Sequence, residues 1–398
     1  MVFRFRRIAF FLVLVLISGF VSAIADPSML YCQKLGYTYQ IDKSSDGEQG
    51  YCIVNSTKYD SWEFFNGKVG KEYSYCAKNG YDTQTGPVPD NPFGFEQAFC
   101  APINDVVRAS SIVTESDKIS VVDLMAANGD DLLGSTTSSL SASGVALPAG
   151  ISASSVPSSG SIPSSFDWRN KDGKNWMTPV KDQGACGSCW AFGTLGAIEA
   201  KFNIDNNNPL LLYDLSEQDL VSCSGGGDCA GGNSFLALEY INSTGIVDES
   251  CFRYSANNAK CSRCADWQNR TAKIRGYNVV YGDTNELKAA LMAYGPMVAA
   301  IDAYDIGYPR IYAWHMVTLV GWNDAGGYWI VKNSWGTGWQ DKGYGKMPYG
   351  KSMETYGYAI GIGPTVHPIQ PHYVPEFGLL GAVVILAAGL LLVIWRRK

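Results

Sequence analysis

Three internal stretches carry hydrophobic patterns that predict regular structure. The stretch after Cys189 predicts an amphipathic helix beginning at that residue, because its apolar positions recur at helical spacing. These positions are Leu195, Ile198 and Phe202. Residues 316–322 and 328–331 are short apolar runs with a β-branched and aromatic bias, so each predicts a buried strand.

The two ends of the chain are apolar in patterns typical of export and membrane anchoring. Residues 1–25 begin with basic residues, continue with an apolar run at 8–20 and finish with Ala23-Ile24-Ala25. This order predicts a cleaved signal peptide, with an uncleaved anchor as the alternative. Residues 377–395 are uncharged, long enough as a helix to cross a bilayer, and followed by three cations. We therefore expect the folded part to lie outside the cell, anchored at its C-terminal end.

Composition divides the chain between these ends. Residues 134–165 are rich in serine and contain no charged side chain, which predicts a linker, and prolines after residue 363 predict an extended stalk. The expected segments are a signal peptide at 1–25, a small cysteine-rich domain at 26–107, a Ser-rich linker at 108–162, the main domain at 163–364, a Pro-rich stalk at 365–376 and a transmembrane or sorting tail at 377–398.

Charge and cysteine content narrow the function classes. The net charge of −6 and the absence of an internal basic run argue against nucleic-acid binding, because such proteins neutralise phosphates with clustered Lys and Arg. Eleven cysteines suit an exported, disulfide-bonded protein, and the odd number leaves at least one thiol unpaired. Cys32, Cys52, Cys76 and Cys100 predict two disulfides in the small domain, with their pairing open.

The main domain contains residue types that suit nucleophilic catalysis. A cysteine at the start of a helix, as predicted for Cys189, is stabilised as the nucleophilic thiolate by unpaired amides and the helix dipole. The chain has three histidines, and two of them, His367 and His372, lie in the stalk. His315 is therefore the candidate acid and base. Asn333 follows the second predicted strand, where its amide can orient an imidazole.

These residues lie in motifs that resemble the papain family of cysteine proteases. The resemblance rests on Gln183-Gly184-Ala185-Cys186-Gly187-Ser188-Cys189-Trp190-Ala191-Phe192, on His315 in an apolar strand, and on Asn333-Ser334-Trp335-Gly336-Thr337-Gly338-Trp339. It extends from Ile162 to Gly361. It implies an α+β fold with two lobes, one helical and one β-barrel-like.

The resemblance also implies roles for individual residues. Cys189 would be the nucleophile, His315 the acid and base, and Asn333 the residue that orients it. Gln183 and the Cys189 backbone N–H would bind the oxyanion, while Trp335 would shield the Asn333–His315 hydrogen bond from water.

Substrate binding and disulfides follow from the same resemblance. It implies a Cys186–Cys229 disulfide, after which Gly231 and Gly232 would pair with an extended peptide and Asn233 would shape the pocket for the residue two before the cut. The remaining cysteines would form two further bridges whose pairing stays open: Cys223, Cys251, Cys261 and Cys264. Zinc or redox chemistry at the CxxC pairs is the weaker alternative, so we expect no metal and no cofactor.

Two weaker resemblances lie outside the main domain. Residues 27–65 look like a small cysteine-containing domain of unknown function of the haemolysin type. Pro375-Glu376-Phe377-Gly378 and the apolar and basic residues after it resemble the PEF-type sorting tails of archaeal surface proteins, which are thought to be cut and replaced by a lipid. A permanent anchor is the alternative. Three sequons, at Asn55, Asn242 and Asn269, predict glycosylation.

The predicted function is that of a monomeric cell-surface cysteine endopeptidase, which hydrolyses extended peptides or proteins through a Cys-His-Asn thioester mechanism. Three features depart from the family pattern, and one is that Asn233 and Ser234 occupy positions that usually shape a hydrophobic pocket, which leaves the side-chain preference open. The connection before His315 is short and places Trp314 beside it, and no helical inhibitory propeptide is visible, so latency would need another device such as the linker lying in the cleft. A non-catalytic peptide-binding protein and a transpeptidase are the competing functions.

Overall fold

The computed structural model describes residues 21–22, 24–88, 93, 95–102, 118–128, 162–308, 313–355 and 357–366. Most of the predicted signal peptide, most of the linker, nearly all of the stalk and the predicted C-terminal membrane segment lie outside these residues. No helix in the part of the chain that is described combines the length and hydrophobicity needed to cross a bilayer.

The described residues form short helices and antiparallel strands. The helices are α1 (Pro27–Lys34), α2 (Ser61–Phe65), α3 (Tyr75–Lys78), α4 (Val121–Ala127), α5 (Cys189–Asp205), α6 (Glu217–Cys223), α7 (Ser234–Ser243), α8 (Thr284–Tyr294) and α9 (Ser352–Thr355). The strands are β1 (Val21–Ser22), β2 (Thr38–Ser44), β3 (Gly47–Val54), β4 (Thr57–Asp60), β5 (Tyr81–Pro87), β6 (Glu96–Pro102), β7 (Ile119–Ser120), β8 (Ser165–Asp167), β9 (Gly227–Asp228), β10 (Gly231–Gly232), β11 (Lys273–Ile274), β12 (Tyr277–Val280), β13 (Met297–Asp302), β14 (Trp314–Asn323), β15 (Tyr328–Lys332), β16 (Tyr344–Pro348), β17 (Tyr358–Ile362) and β18 (Thr365–Val366).

The small domain consists of two similar halves in tandem. Each half is a helix, a three-stranded antiparallel sheet and a second helix: α1 with β2–β3–β4 and α2, then α3 with β5–β6–β7 and α4. In each half a disulfide joins the first helix to the middle strand, through Cys32–Cys52 and Cys76–Cys100. The sequence signal is the recurrence of Cys-x-Lys-x-Gly-Tyr, at residues 32–37 and again at 76–81.

The predicted start of the linker at residue 108 is wrong. Strand β7 pairs with β6, and the helix after it, α4, buries Val121 and Met125, so the small domain extends to Asn128. The physical reason is that the serine-rich, charge-free composition begins only near Gly134. Residues 119–125 before it contain enough apolar surface to be buried.

The main domain has a helical part and a sheet part, as expected for two lobes. The sheet is antiparallel, in the order β12-β17-β13-β14-β15-β16, with β8 paired to β14. Both predicted strands are confirmed, as β14 and β15, and their register places Thr318 opposite Lys332. Trp322 and Trp329 are fully buried in this sheet. The register fixes which side chains of neighbouring strands can meet.

Helix α5 begins at Cys189 as predicted but is not amphipathic. Its buried positions occur on all sides and include the polar residues Glu199 and Asn203. The helix lies against β14, which follows it by more than 100 residues, and also contacts α6 and α7. Packing partners that come from distant parts of the sequence cover both faces, so local periodicity could not predict its full burial.

Two further disulfides tie the helical part together. They join Cys223 to Cys261 and Cys251 to Cys264, which resolves the pairing that the sequence left open. Cys189 is the one cysteine without a disulfide among the described residues.

Candidate active site

Cys189 is held at the start of α5 by a covalent and hydrogen-bonded loop. The preceding loop is fixed by the Cys186–Cys229 disulfide, whose Cα atoms lie 4.5 Å apart. Gly187 N–H donates to the Cys229 carbonyl at 2.9 Å. The thiol is buried and interacts with the backbone of Met316, the residue after His315, and with that of Ile24. The unpaired thiol therefore lies beside the strand that carries the histidine.

His315 and Asn333 meet because neighbouring strands carry them to one edge of the sheet. His315 Nε2 and Asn333 Oδ1 are 2.7 Å apart, and the Trp335 ring stacks on the imidazole with centroids 4.7 Å apart. His315 is fully buried, and its Nδ1 has no hydrogen-bond partner among the described residues. One imidazole nitrogen is thus fixed by the amide, while the other is left available.

The short connection before His315 does not displace the imidazole from Asn333. Strands β13 and β14 stay paired to the end of β13, with Asp302 opposite Trp314 and Ile301 opposite His315. This pairing fixes the position of His315 in the strand independently of the connection before it.

Gln183 points its amide nitrogen into the cleft because its other amide atom is occupied. Gln183 Oε1 accepts a hydrogen bond from Ser334 Oγ at 2.6 Å, and Gln183 N–H donates to the Ser334 carbonyl at 2.8 Å. Gln183 Nε2 donates to the Ile24 carbonyl at 2.8 Å and to the Cys186 carbonyl at 2.9 Å. The role of Ser334 in orienting Gln183 was missed from the sequence, where Ser334 was only part of a motif.

The cleft is occupied by the chain's own N-terminal residues. Strand β1 pairs antiparallel with Gly231–Gly232, the two glycines expected to bind an extended peptide. Farther along, the backbone N–H of Asp26 donates to the Gly184 carbonyl at 3.0 Å. Asn233 is half-buried, and its side-chain oxygen accepts from the first N–H groups of α7, so its role in a substrate pocket stays a prediction.

Burial in this covered cleft favours the neutral forms of both titratable groups. Desolvation raises the pKa of the Cys189 thiol to about 11, although backbone hydrogen bonds oppose the shift. Desolvation likewise lowers the pKa of His315 to about 4, against the effect of the hydrogen bond to Asn333. The thiolate expected from the sequence therefore does not describe the covered site, and it stays a prediction for an open cleft.

The small domain packs directly on the residues around the site. Trp62 stacks on Trp335 with ring centroids 5.7 Å apart, and its indole N–H donates to the Trp335 carbonyl at 3.0 Å. Tyr39 Oη lies within hydrogen-bond distance of two carboxyl groups, that of Asp182 at 2.8 Å and that of Asp26 at 3.1 Å. These contacts place the small domain over the side of the cleft that lies beyond Gly184.

A buried charge cluster behind the site was also missed from the sequence. Lys181 Nζ lies 2.8 Å from Asp214, 2.9 Å from Glu217 and 3.0 Å from Glu199. Its position two residues before Gln183 was the available signal. Within the described ranges, no group of histidine, cysteine and acidic side chains has the arrangement of a metal site.

Comparison with known proteins identifies the main domain. Residues 162–362, half of the chain, match the model of the papain family of cysteine proteases, and residues 23–68 match a domain of unknown function, DUF333. A cathepsin L-like proteinase of Fasciola hepatica is 37% identical over 204 residues, which cover 47% of this chain and 60% of that protein. The viral cathepsin of Choristoneura fumiferana nuclear polyhedrosis virus is 40% identical over 196 residues, covering 46% and 58% respectively.

Solved structures are similar to about half of the chain. Procathepsin L2 from Tenebrio molitor larval midgut is 33% identical with a TM-score of 0.46, and the match covers 52% of this chain and 69% of that one. The chain spans 58–60% of the length of the two cathepsin relatives described above. On the match of the family model, the chain belongs to the papain family of cysteine proteases.

Proposed function

We propose that the chain is a cysteine endopeptidase that hydrolyses peptide bonds in extended segments of peptides or proteins. The observation that carries the proposal is the backbone of Ile24, whose carbonyl accepts a hydrogen bond from Gln183 Nε2 and which also interacts with the free thiol of Cys189. A carbonyl in this position has both a nucleophile and an oxyanion donor beside it.

The arrangement supports a thioester mechanism. Cys189 Sγ attacks the substrate carbonyl carbon as its proton moves to His315, and Gln183 Nε2 with the Cys189 N–H stabilises the oxyanion. His315 then gives a proton to the leaving amine, after which water hydrolyses the thioester. Asn333 holds the imidazole through Nε2, so that Nδ1 is the nitrogen left for these proton transfers.

We also propose that the enzyme acts at the cell surface without a cofactor or nucleic-acid partner. The signal-peptide pattern at residues 1–25 and the apolar C-terminal segment with its basic end support this location. The PEF-type motif supports either a retained anchor or a lipid attached after the tail is cut.

The test combines peptide hydrolysis with mapping of the reactive thiol. We expect the full chain to hydrolyse a fluorogenic peptide, to lose this activity on reaction with a thiol-directed epoxide, and to carry the adduct on Cys189. His315→Ala should abolish hydrolysis, whereas the matched variant His372→Ala should retain it. An adduct on another residue, or thiol-dependent hydrolysis that survives in Cys189→Ala, would refute the assignment.

A further inference from the structure

The two halves of the small domain share a second sequence repeat, on their middle strands. The pattern Glu-Gln-x-aromatic-Cys occurs at residues 48–52 in β3 and again at residues 96–100 in β6. In each half the cysteine forms the disulfide, and the middle strand pairs with the strand before it in the same register about this cysteine. Glu48 and Glu96 therefore occupy equivalent positions in the two halves.

In the first half, the backbone of Glu48 binds the main domain. Glu48 N–H donates to the Val180 carbonyl at 2.8 Å, and the Glu48 carbonyl accepts from Thr337 N–H at 2.7 Å. These groups are available because β4 pairs only with residues 51–54 of β3. The ion pair between Lys43 and Glu48 does not prevent the contact. This part of β3 therefore binds another stretch of polypeptide through its backbone.

In the second half, the equivalent backbone groups of Glu96 point outward. Val88 N–H donates to the Phe95 carbonyl at 2.6 Å, so these two residues form a hydrogen-bonded pair. Such pairs alternate along an antiparallel ladder, so the next pair, Pro87 with Glu96, is not hydrogen-bonded. Glu96 thus directs its N–H and carbonyl away from β5. Strand β7 pairs no farther than Phe99, and neither group of Glu96 has a partner among the described residues.

This unpaired edge opens into a cavity between the small domain and the main domain. The cavity has a volume of about 440 Å³, which lies in the range of ligand-binding pockets. Strand β6 contributes residues 96–98 to its wall, and the main domain contributes Tyr328, Ile330 and Trp339. An extended peptide suits this combination, because its backbone can pair with the edge while apolar side chains enter the cavity.

The cavity lies next to the active site. Trp335 stacks on His315, and two side chains of the cavity wall contact Trp335. They are Trp62, with ring centroids 5.7 Å from those of Trp335, and Trp339, at 5.6 Å. Only a substrate that extends beyond the cleft on the side of Trp335 can reach the unpaired edge. A short peptide bound in the cleft cannot.

We propose that the unpaired edge of β6 at Glu96 is a second substrate-binding site, which pairs with an extended apolar segment of a protein substrate while another segment of that substrate lies at Cys189. The inference rests on the proposed peptidase function. Glu96 donates its N–H to the backbone of the segment and accepts from it, as Glu48 does with the main domain. Two attachments on one chain increase its affinity, because the second attachment is intramolecular.

The experiment compares two substitutions of Glu96. Glu96→Pro removes the outward N–H, whereas Glu96→Ala keeps it, and both remove the ion pair with Lys68. The substrates are casein, which is an unfolded protein, and a short fluorogenic peptide. We expect Glu96→Pro to raise KM for casein about fivefold or more, and Glu96→Ala to change it less than roughly twofold. Both variants should hydrolyse the short peptide as the wild type does.

A second variant keeps the proposal testable if Glu96→Pro fails to fold, as judged by loss of short-peptide hydrolysis. Gln97→Trp fills the cavity with an indole and leaves the backbone of the edge in place. It should also raise KM for casein without changing hydrolysis of the short peptide. Gln40→Trp, an exposed substitution on a strand of the first half, is the matched control and should leave both substrates unaffected.

Three results would overturn the second binding site. They are a KM for casein that a folded Glu96→Pro or Gln97→Trp protein leaves unchanged, an equal rise in KM for Glu96→Ala and Glu96→Pro, and a wild-type dimer that Glu96→Pro converts to a monomer in sedimentation. The last result would identify a second copy of the chain as the occupant. A wild-type chain that hydrolyses neither substrate refutes the peptidase function itself, which is distinct from all three.

Discussion

At the residue scale, the site depends on polar side chains that hold other polar side chains. Gln183 Nε2 faces the cleft because Ser334 occupies Gln183 Oε1, and His315 Nδ1 is available because Asn333 occupies Nε2. Each pairing fixes an orientation that the functional residue could not keep alone. Substitution of the supporting residue should therefore weaken function without removing the chemical group.

We expect Ser334→Ala to lower kcat about tenfold with little change in KM, because Gln183 loses the bond that orients it. Gln183→Ala should lower kcat roughly a hundredfold or more. The measurement is steady-state hydrolysis of a fluorogenic peptide by both single variants and the double variant. If the two losses multiply in the double variant, Ser334 does not act through Gln183.

Lys181 should contribute strongly to stability because two of its three carboxylate partners, Glu199 and Glu217, are buried. We expect Lys181→Met to reduce the free energy of unfolding by about 3–5 kcal/mol, since Glu199 and Glu217 would remain buried without their cation. Lys171→Met, which removes an exposed ion pair with Asp172, should cost less than about 1 kcal/mol. Urea unfolding at pH 7 measures both. Equal losses of unfolding free energy in the two variants would contradict a stabilising role for the buried cluster.

At the element scale, the sequence predicts the positions of helices and strands better than it predicts which other elements pack over them. Strands β14 and β15 and the start of α5 were predictable because their hydrophobic patterns are local. The complete burial of α5 was not, since its covering strand β14 is distant in sequence. Helix α4 was missed for a different reason: it is short, and a serine-rich segment begins a few residues after it.

The contact between the small domain and the loop before Gln183 contains two buried carboxyl groups, those of Asp26 and Asp182. Burial and the nearby Asp182 carboxyl raise the pKa of Asp26 well above its usual value, and burial raises the pKa of Asp182 to about 7. Tyr39 Oη lies between them, and Glu48, itself paired with Lys43, accepts from the Asp182 N–H. The native protein therefore binds more protons here than the unfolded chain.

Stability should depend on the protonation of this pair. Its contribution is complete below about pH 4 and is lost progressively as the pH rises to about 7, because the native pKa values are raised. We expect the free energy of unfolding to change less with pH over this range in Asp182→Asn than in the wild type, by on the order of 3 kcal/mol. Urea unfolding at pH 4.5 and pH 8 tests this. If the free energy of unfolding changes equally between these pH values in the wild type and in Asp182→Asn, the proposed role of the pair is contradicted.

At the scale of the whole molecule, the small domain covers one side of the cleft. The residues just before this domain lie in the cleft, where β1 pairs with Gly231–Gly232. Nothing in the cysteine spacing indicated this contact, because it depends on the surface of a second domain. The linker, proposed from the sequence as a cleft-covering device, lies almost entirely outside the described residues. The N-terminal segment is the part of the chain that the structure places in the cleft.

Weakening the contact between the domains should expose the site. We expect Trp62→Ala to increase the rate of hydrolysis of an added peptide several-fold, because the stack on Trp335 and the hydrogen bond to its carbonyl are lost. Trp267→Ala is a control in the helical lobe and should leave the rate unchanged. A Trp62→Ala protein that is folded, as judged by circular dichroism, and no faster than wild type would contradict a covering role.

The central claim is that a peptide carbonyl becomes bonded to Cys189 Sγ during turnover. The most direct measurement is mass spectrometry of the full chain, quenched in acid while it hydrolyses a peptide ester. We predict an acyl adduct on the proteolytic fragment that contains Cys189, labile to hydroxylamine and absent from Cys189→Ala. Continued turnover by the wild-type protein with no adduct, or with an adduct on a different residue, would contradict the account.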